Sequence, residues 1–194
     1  EAAIQEGSAS NGAVLSLVNT ATAKGTSAVA IGTEANASTT NALAVGTSTV
    51  SSGDGSVAVG SGSKATGASA VAVGAGAYAK EHGAVALGNN VNVETNKAVG
   101  VGFALTVRQA GATNIGYYST VNANQALSVG ARNDVDSAAQ YGTAVGYFTK
   151  VTGKNGVAIG SSNDNNGNSD TGRTLASADS AVAIGTSAHA EAIH

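Results

Sequence analysis

The sequence contains no cysteine, proline, methionine or tryptophan, and charged and aromatic residues make up only 11% and 4% of its 194 positions. The lack of cysteine excludes disulfides and thiolate metal sites. The net charge of −3 leaves no basic surface to neutralise phosphates, which argues against nucleic-acid binding. No apolar run reaches the roughly 18 residues that a membrane-spanning helix needs. With so few large side chains, any core must be thin and closely packed.

Glycine, by contrast, is abundant with 27 residues, and many of the glycines recur at a fixed spacing. Segments such as SAVAIG at 27–32 and SAVAVG at 69–74 end on a glycine, which we call the coil glycine. The step between coil glycines is 14 residues, except for one step of 16 and one of 25. The coil glycines are Gly32, Gly46, Gly60, Gly74, Gly88, Gly102, Gly116, Gly130, Gly146, Gly160 and Gly185. One more coil, without its glycine, is expected to end near Val18, which makes about twelve coils.

The residues before each coil glycine alternate between branched apolar and small side chains. In the coil that ends at Gly32, Val29 and Ile31 flank Ala30. Alternation of period two is typical of a β-strand, and valine and isoleucine favour strands. Five residues after most coil glycines stands another small or branched apolar residue, such as Ala37, which predicts a second short strand. The coil 46–59 is expected to depart locally from this pattern, because its apolar residue, Val50, comes one place before the position seen in other coils.

A repeat of 14 residues is too short for a helix plus a strand, but it accommodates two strands and two turns. Stacked coils place each strand beside its copy, which predicts an all-β parallel β-solenoid with glycine at the corner. The first strand has one face of valine and isoleucine and another of alanine. Because only one face can fill the coil, the other needs a partner chain, and the pattern predicts an oligomer. Which face meets the partner stays open.

Residues 56–67, SVAVGSGSKATG, resemble the S-V-A-I-G-x-x-S-x-A-x-G repeat of YadA-like heads in trimeric autotransporter adhesins, with Val59 in place of isoleucine. The resemblance implies a left-handed parallel β-roll that forms a homotrimer around a threefold axis. It also implies a place on the bacterial cell surface, anchored in the outer membrane through a stalk and a β-barrel, for which we find no motif in this sequence. The chain is therefore expected to be a head alone, without direct membrane contact.

The same resemblance implies an adhesin rather than an enzyme, with no cofactor. The partners that it predicts are a host surface glycoprotein, such as a CEACAM-type receptor, or a matrix protein such as collagen, fibronectin or laminin. We expect a lead-in segment at 1–11 and the head at 12–194, with an insertion within 161–179. Two other functions remain open. One is a structural spacer or self-association module that clumps bacteria, and the other is an ice-binding solenoid.

The insertion within 161–179 is rich in asparagine and aspartate. Its order does not fit a calcium-binding loop, because Gly167 lies between Asn166 and Asn168, whereas the EF-hand order demands a ligand before glycine at position six and a glutamate at position twelve. Long insertions in solenoids lie on one face and often bind partners, so a recognition loop is the better interpretation. Its candidate residues are Asn163, Asp164, Asn166, Asn168, Asp170 and Arg173.

Five of the seven aromatic residues fall one or two places after a coil glycine. They are Phe103, Tyr117, Tyr118, Tyr147 and Phe148. Arg132 occupies the same position in the coil between them, so stacking is expected to place all six residues in one row. Tyrosine and arginine are frequent in interface hot spots, which makes this row a candidate binding surface. The alternative is packing at protomer edges or under the insertion.

No catalytic arrangement is present in the repeat. The three histidines, His82, His189 and His194, occupy unrelated repeat positions, and no nucleophile or phosphate-binding motif occurs. Asn114 replaces the usual alanine of the first strand. We expect it to be hydrogen-bonded inside the coil rather than to meet its copies at a threefold axis.

Overall fold

The computed structural model describes residues 20–163 and 172–191, so the predicted lead-in segment and the first expected coil lie outside the described residues. Within this part of the chain, the regular elements are 23 β-strands of two to five residues. No helix in these ranges is long and apolar enough to cross a membrane. The chain divides into two compact units, Glu1–Lys97 and Ala98–His194.

The strands follow the predicted two-strand coil in both units. In the first unit they are β1 (Thr22–Ala23), β2 (Val29–Ile31), β3 (Asn36–Ala37), β4 (Leu43–Val45), β5 (Val50–Ser51), β6 (Val57–Val59), β7 (Lys64–Ala65), β8 (Val71–Val73), β9 (Tyr78–Ala79), β10 (Val85–Asn89) and β11 (Asn92–Val93). In the second unit they are β12 (Val99–Phe103), β13 (Thr106–Val107), β14 (Thr113–Tyr117), β15 (Thr120–Val121), β16 (Leu127–Ala131), β17 (Asp134–Val135), β18 (Thr143–Tyr147), β19 (Thr149–Val151), β20 (Val157–Ser161), β21 (Thr174–Ala176), β22 (Val182–Thr186) and β23 (His189–Ala190).

Within each unit the even-numbered strands, which carry the residues before the coil glycine, form one parallel sheet, and the odd-numbered strands form another. We call these the first and the second sheet. Neighbours in a sheet pair with an offset of one coil, as Val57 with Val71 in the first unit and Ile115 with Val129 in the second. The parallel β-solenoid that the glycine spacing predicts is thereby confirmed.

The alanine face of the first sheet points into the coil. Ala30, Ala58 and Ala86 are fully buried, whereas the valines and isoleucines on either side of them keep partial exposure. The second sheet contributes the residue five places after the coil glycine, which is buried in each coil from Ala37 to Val151. Small side chains therefore fill the coil, and the branched apolar face of the first sheet points outward. The structure thus shows which face fills the coil, which the alternation alone does not determine.

The coil 46–59 does not depart from the register. Val50 pairs with Asn36 and Lys64, so it keeps an outward place in the second sheet. Ser51 takes the inward place and is fully buried, and its hydroxyl donates to the carbonyl oxygen of Ser56 at 2.9 Å. The expectation of an early residue is wrong, because a hydrogen-bonded serine stands where other coils have alanine or valine.

The coil glycines hold the corner after the first sheet in a conformation that other residues rarely adopt. Gly60 has φ +123°, and a Cβ added there would lie 2.7 Å from the carbonyl oxygen of Gly74 in the next coil. Such a contact is too short for a carbon atom, so glycine is needed for close stacking as well as for backbone freedom. The predicted role of glycine at the corner is confirmed.

Asn114 lies inside its coil and is fully buried. Its Nδ2 atom donates to the carbonyl oxygen of Ser119 at 2.8 Å and to that of Thr106 at 3.3 Å. The expected inner hydrogen bonds are thus present, and a meeting of Asn114 copies at an outer axis is wrong.

Candidate functional site

Three of the predicted aromatic residues form a cluster on the surface of the second unit. The rings of Phe103 and Tyr117 are stacked with their centroids 5.5 Å apart. Tyr118 meets both rings edge-on, at 4.5 Å from Tyr117 and 5.7 Å from Phe103. Each of the three keeps at least 40% of its surface exposed, and Tyr118 keeps 53%. We call Phe103, Tyr117 and Tyr118 the aromatic cluster.

The cluster arises because the first-sheet strands of this unit continue past their coil glycines. β12 and β14 each include two residues beyond the last branched side chain, which pairs Phe103 directly with Tyr117. Tyr118 then follows with φ +50°, at a place where two coils of the first unit have Gly62 and Gly76. A left-handed conformation costs an ordinary residue about 1–2 kcal/mol relative to the right-handed one. Coil formation therefore gives no reason for a tyrosine at this position.

Phe148 has a different environment from the aromatic cluster, and its packing matches the alternative that the sequence left open, burial under the insertion. Only 5% of its surface is exposed. Its ring meets Tyr147 edge-on at 4.9 Å, while the guanidinium carbons of Arg132 and Arg173 lie 5.3 Å and 5.2 Å from its centroid. Phe148 therefore packs between two arginines, one of which, Arg173, comes from the end of the insertion.

The six predicted residues are brought to one corner of the second unit, but they do not form an unbroken row of rings. Ala131 pairs with Tyr117 on one side and with Tyr147 on the other, so a small residue separates the aromatic cluster from the Tyr147–Phe148 pair. Arg132 links the two, because its backbone nitrogen donates to the carbonyl oxygen of Tyr117 at 2.8 Å and its side chain covers Phe148.

Of the predicted recognition loop, the structure describes Asn163 and Arg173, whereas Asp164, Asn166, Asn168 and Asp170 lie outside the described residues. The backbone nitrogen of Asn163 donates to the carbonyl oxygen of Gly172 at 3.2 Å. Arg173 reaches Asp134, with 4.0 Å between Nη1 and Oδ2. Both ends of the insertion are thus held close to the coils, and its recognition role stays a prediction. In ranges 20–163 and 172–191, no three acidic or histidine side chains gather as a metal site would require.

A further surface feature was not identified from the sequence, namely the contrast between the outward faces of the two sheets. The first sheet has 22 outward positions before its coil glycines, of which 20 are valine, leucine or isoleucine and two, Thr113 and Thr143, are threonine. The second sheet has the charged residues Lys64, Asp134 and Lys150 at outward places, and Lys80, Glu94 and Arg108 directly follow three of its strands. The outward face of the first sheet is therefore the surface whose exposure to water is least favourable.

The chain matches the family described as YadA head domain repeat (2 copies). The matched segments are 23–49, 40–63, 51–77, 65–90, 138–163 and 176–194, and together they cover more than half of the chain. No curated protein sequence matches it. The unmatched stretch between 90 and 138 includes the aromatic cluster and Arg132, so this corner departs from the plain repeat. With its 14-residue glycine spacing, its paired parallel sheets and these matches, the chain belongs to the YadA head domain repeat family.

Proposed function

We propose that the chain is one protomer of a homotrimeric adhesin head, a left-handed β-roll displayed on a bacterial cell surface. The observation that carries the trimer is the outward face of the first sheet, which has no charged residue before the coil glycines. Val73, Ile115 and Ile159 each leave at least 37% of their surface exposed in the single chain. Within each unit, an exposed apolar face of this kind is typical of one that a partner covers.

A pair of lysine substitutions tests this assembly. Val73→Lys places a charge on the outward face of the first sheet, and Ser52→Lys places the same charge beside the second sheet. We expect Val73→Lys to lower the mass measured by light scattering from three 18.5-kDa chains toward one, while Ser52→Lys leaves three. A desolvated lysine without a partner is costly, whereas one in water is not. Equal masses for both variants would count against the first sheet as the interface.

Within this trimer, the aromatic cluster is the proposed contact with a host surface glycoprotein or matrix protein. The support is its exposed rings at a position that the coil does not require to be aromatic. Three copies for each head would raise avidity without additional contacts, so each site could be weak.

Tyr141 offers a matched control for a binding experiment, because it is 52% exposed and has φ +62°, but lies at the opposite corner of its coil. We expect Tyr118→Ser to weaken binding to receptor ectodomains or matrix proteins at least about tenfold, the loss expected for a hot-spot residue. Tyr141→Ser should leave binding unchanged. If both variants form trimers and bind as the parent does, the cluster is not the contact.

The second candidate function is a spacer or self-association module that clumps bacteria. The first unit favours it, because the outward side chains around its coil glycines are mostly small. These include Thr33, Ser48, Ser61 and Ala75. If bacteria that display the head clump equally with the parent chain and with Tyr118→Ser, while no host protein is bound, this function replaces adhesion to the host.

A further inference from the structure

Arg132 stands out among the residues at the proposed contact. It is exposed, it follows Tyr118 at the same corner one coil later, and it precedes the Tyr147–Phe148 pair by one coil. The backbone bond from Arg132 to Tyr117 and that from Phe148 to Ala131, at 2.8 Å and 2.9 Å, hold these coils at adjacent strand positions. Adjacent strands are about 4.8 Å apart, so Tyr118, Arg132 and Tyr147 lie within the span of one or two sugar rings.

The guanidinium of Arg132 pairs with no carboxylate of residues 20–163 and 172–191. Asp134, two residues further along the chain, is engaged by Arg173 at 4.0 Å. Its side chain lies over the face of the Phe148 ring, whose centroid is 5.3 Å from the guanidinium carbon. A guanidinium that packs by its flat face still has N–H donors along its edge, and these match the oxygen pairs of carboxylates and sulfates.

The backbone at Arg132 adds a second argument. Arg132 has φ +55°, and Tyr118 and Phe148, its counterparts in the coils before and after it, have φ +50° and +56°. Glycine occupies this position in two coils of the first unit, and Ser48 and Asn90 in two others. Other coils share the left-handed conformation, including Glu34 and Ala104 with φ +57° and +50°, so it belongs to the repeat. What distinguishes this corner is that three large side chains occupy the position in consecutive coils, which coil formation does not require.

We propose that Tyr118, Arg132 and Tyr147 form a site for an anionic sugar, that is, a glycan unit that carries a carboxylate or a sulfate. Arg132 would bind the anionic group through its N–H edge. The exposed rings of Tyr118 and Tyr147 would pack against the apolar C–H face of the sugar, and their hydroxyls would bond its oxygens. A sugar fits this arrangement better than an acidic peptide, because two exposed rings flank one cation. The inference rests on the proposed adhesion and names the chemistry of its partner.

Titration calorimetry with sialyllactose, lactose sulfate and lactose tests the site on the assembled head. We expect both anionic sugars to bind and lactose to bind at least about tenfold more weakly, because a charge-assisted hydrogen bond is worth that much. The two anionic sugars also show which group, carboxylate or sulfate, the site prefers. Equal binding of all three sugars, or binding of an acidic peptide alone, would overturn the proposal.

Substitutions locate the effect. Arg132→Gln should reduce binding of the preferred anionic sugar about tenfold or more, and Arg132→Lys, which keeps the charge but not the planar fork, should lie between. Lys64→Gln removes the same charge from the second sheet of the first unit and should change nothing. If Arg132→Gln and Lys64→Gln bind alike in intact trimers, the site is wrong. If Tyr118→Ser loses binding to host proteins but the parent head binds no anionic sugar, this inference is wrong and the proposed adhesion still stands.

Discussion

Replacing Gly60 and Gly62 by alanine, one at a time, separates the two reasons for which glycine recurs in this chain. The two residues are two positions apart in the same coil. Gly60 has φ +123°, and its added Cβ would meet the backbone of Gly74 at 2.7 Å. Gly62 has φ +66°, and nothing lies within 4 Å of its added Cβ. Both substitutions add one methyl group, but only the first adds it between stacked coils.

For Gly60→Ala two costs combine. The backbone conformation costs about 1–3 kcal/mol for a residue with a side chain. No rotamer change can relieve the clash, because it joins a Cβ to backbone atoms. The backbone of Gly74 is itself held by the bond from its nitrogen to the carbonyl oxygen of Val59 at 2.8 Å. Overpacking of this kind costs about another 1–3 kcal/mol. We expect a loss of about 4 kcal/mol in the free energy of unfolding.

For Gly62→Ala only the left-handed backbone remains, at about 1–2 kcal/mol. Reduced freedom of the unfolded chain offsets about half of that, so the expected loss is below about 1 kcal/mol. The measurement is the midpoint of guanidinium unfolding, followed by circular dichroism at one fixed protomer concentration, since assembly makes stability depend on concentration. Equal midpoints for the two variants would refute close stacking at the coil glycine.

Two further predictions concern buried side chains. Phe148→Ala should lower the free energy of unfolding by about 3 kcal/mol, whereas Phe148→Leu, which fills most of the space, should cost about half as much. Unfolding midpoints measure both losses, and equal losses would mean that the ring is not packed as described. Ser51 and Ser56 share a hydrogen bond of 2.6 Å between their hydroxyls, so the loss in Ser51→Ala/Ser56→Ala should be smaller than the sum of the two single losses, each about 1 kcal/mol. Additive losses in this double-mutant cycle would contradict the shared bond.

Apart from the coil 46–59, the strands and their register could be predicted from the sequence, because one pattern repeats. The step from Gly60 to Gly74 determines which residues pair, and alternation determines which share a face. The inward face could not be predicted, because valine and alanine are both apolar and either could fill a coil. The structure places Ala58 inside and Val57 and Val59 outside, and the volume that two narrow sheets leave between them is the physical reason.

The candidate site could be predicted only in part, for a similar reason. Phe103, Tyr117 and Tyr118 share repeat positions, so stacking of coils brings them together as expected. The burial of Phe148 involves Arg173, which lies toward the end of an insertion of irregular length. Thr174 pairs with Thr149, so Arg173 takes the place beside Phe148 in the next coil. The 25-residue step alone does not show where within 161–179 the chain returns to this register, so the contact could not be predicted.

Thiol labelling of the assembled protein tests the central claim most directly, because the chain has no cysteine of its own. Val73 and Tyr118 are 37% and 53% exposed in the single chain, so cysteine at either place would react if the chain were alone. The account predicts that Val73→Cys is protected in the assembly and that Tyr118→Cys reacts freely. Rapid reaction at both positions would contradict burial of the first sheet between protomers, and protection of Tyr118→Cys would contradict an open contact surface.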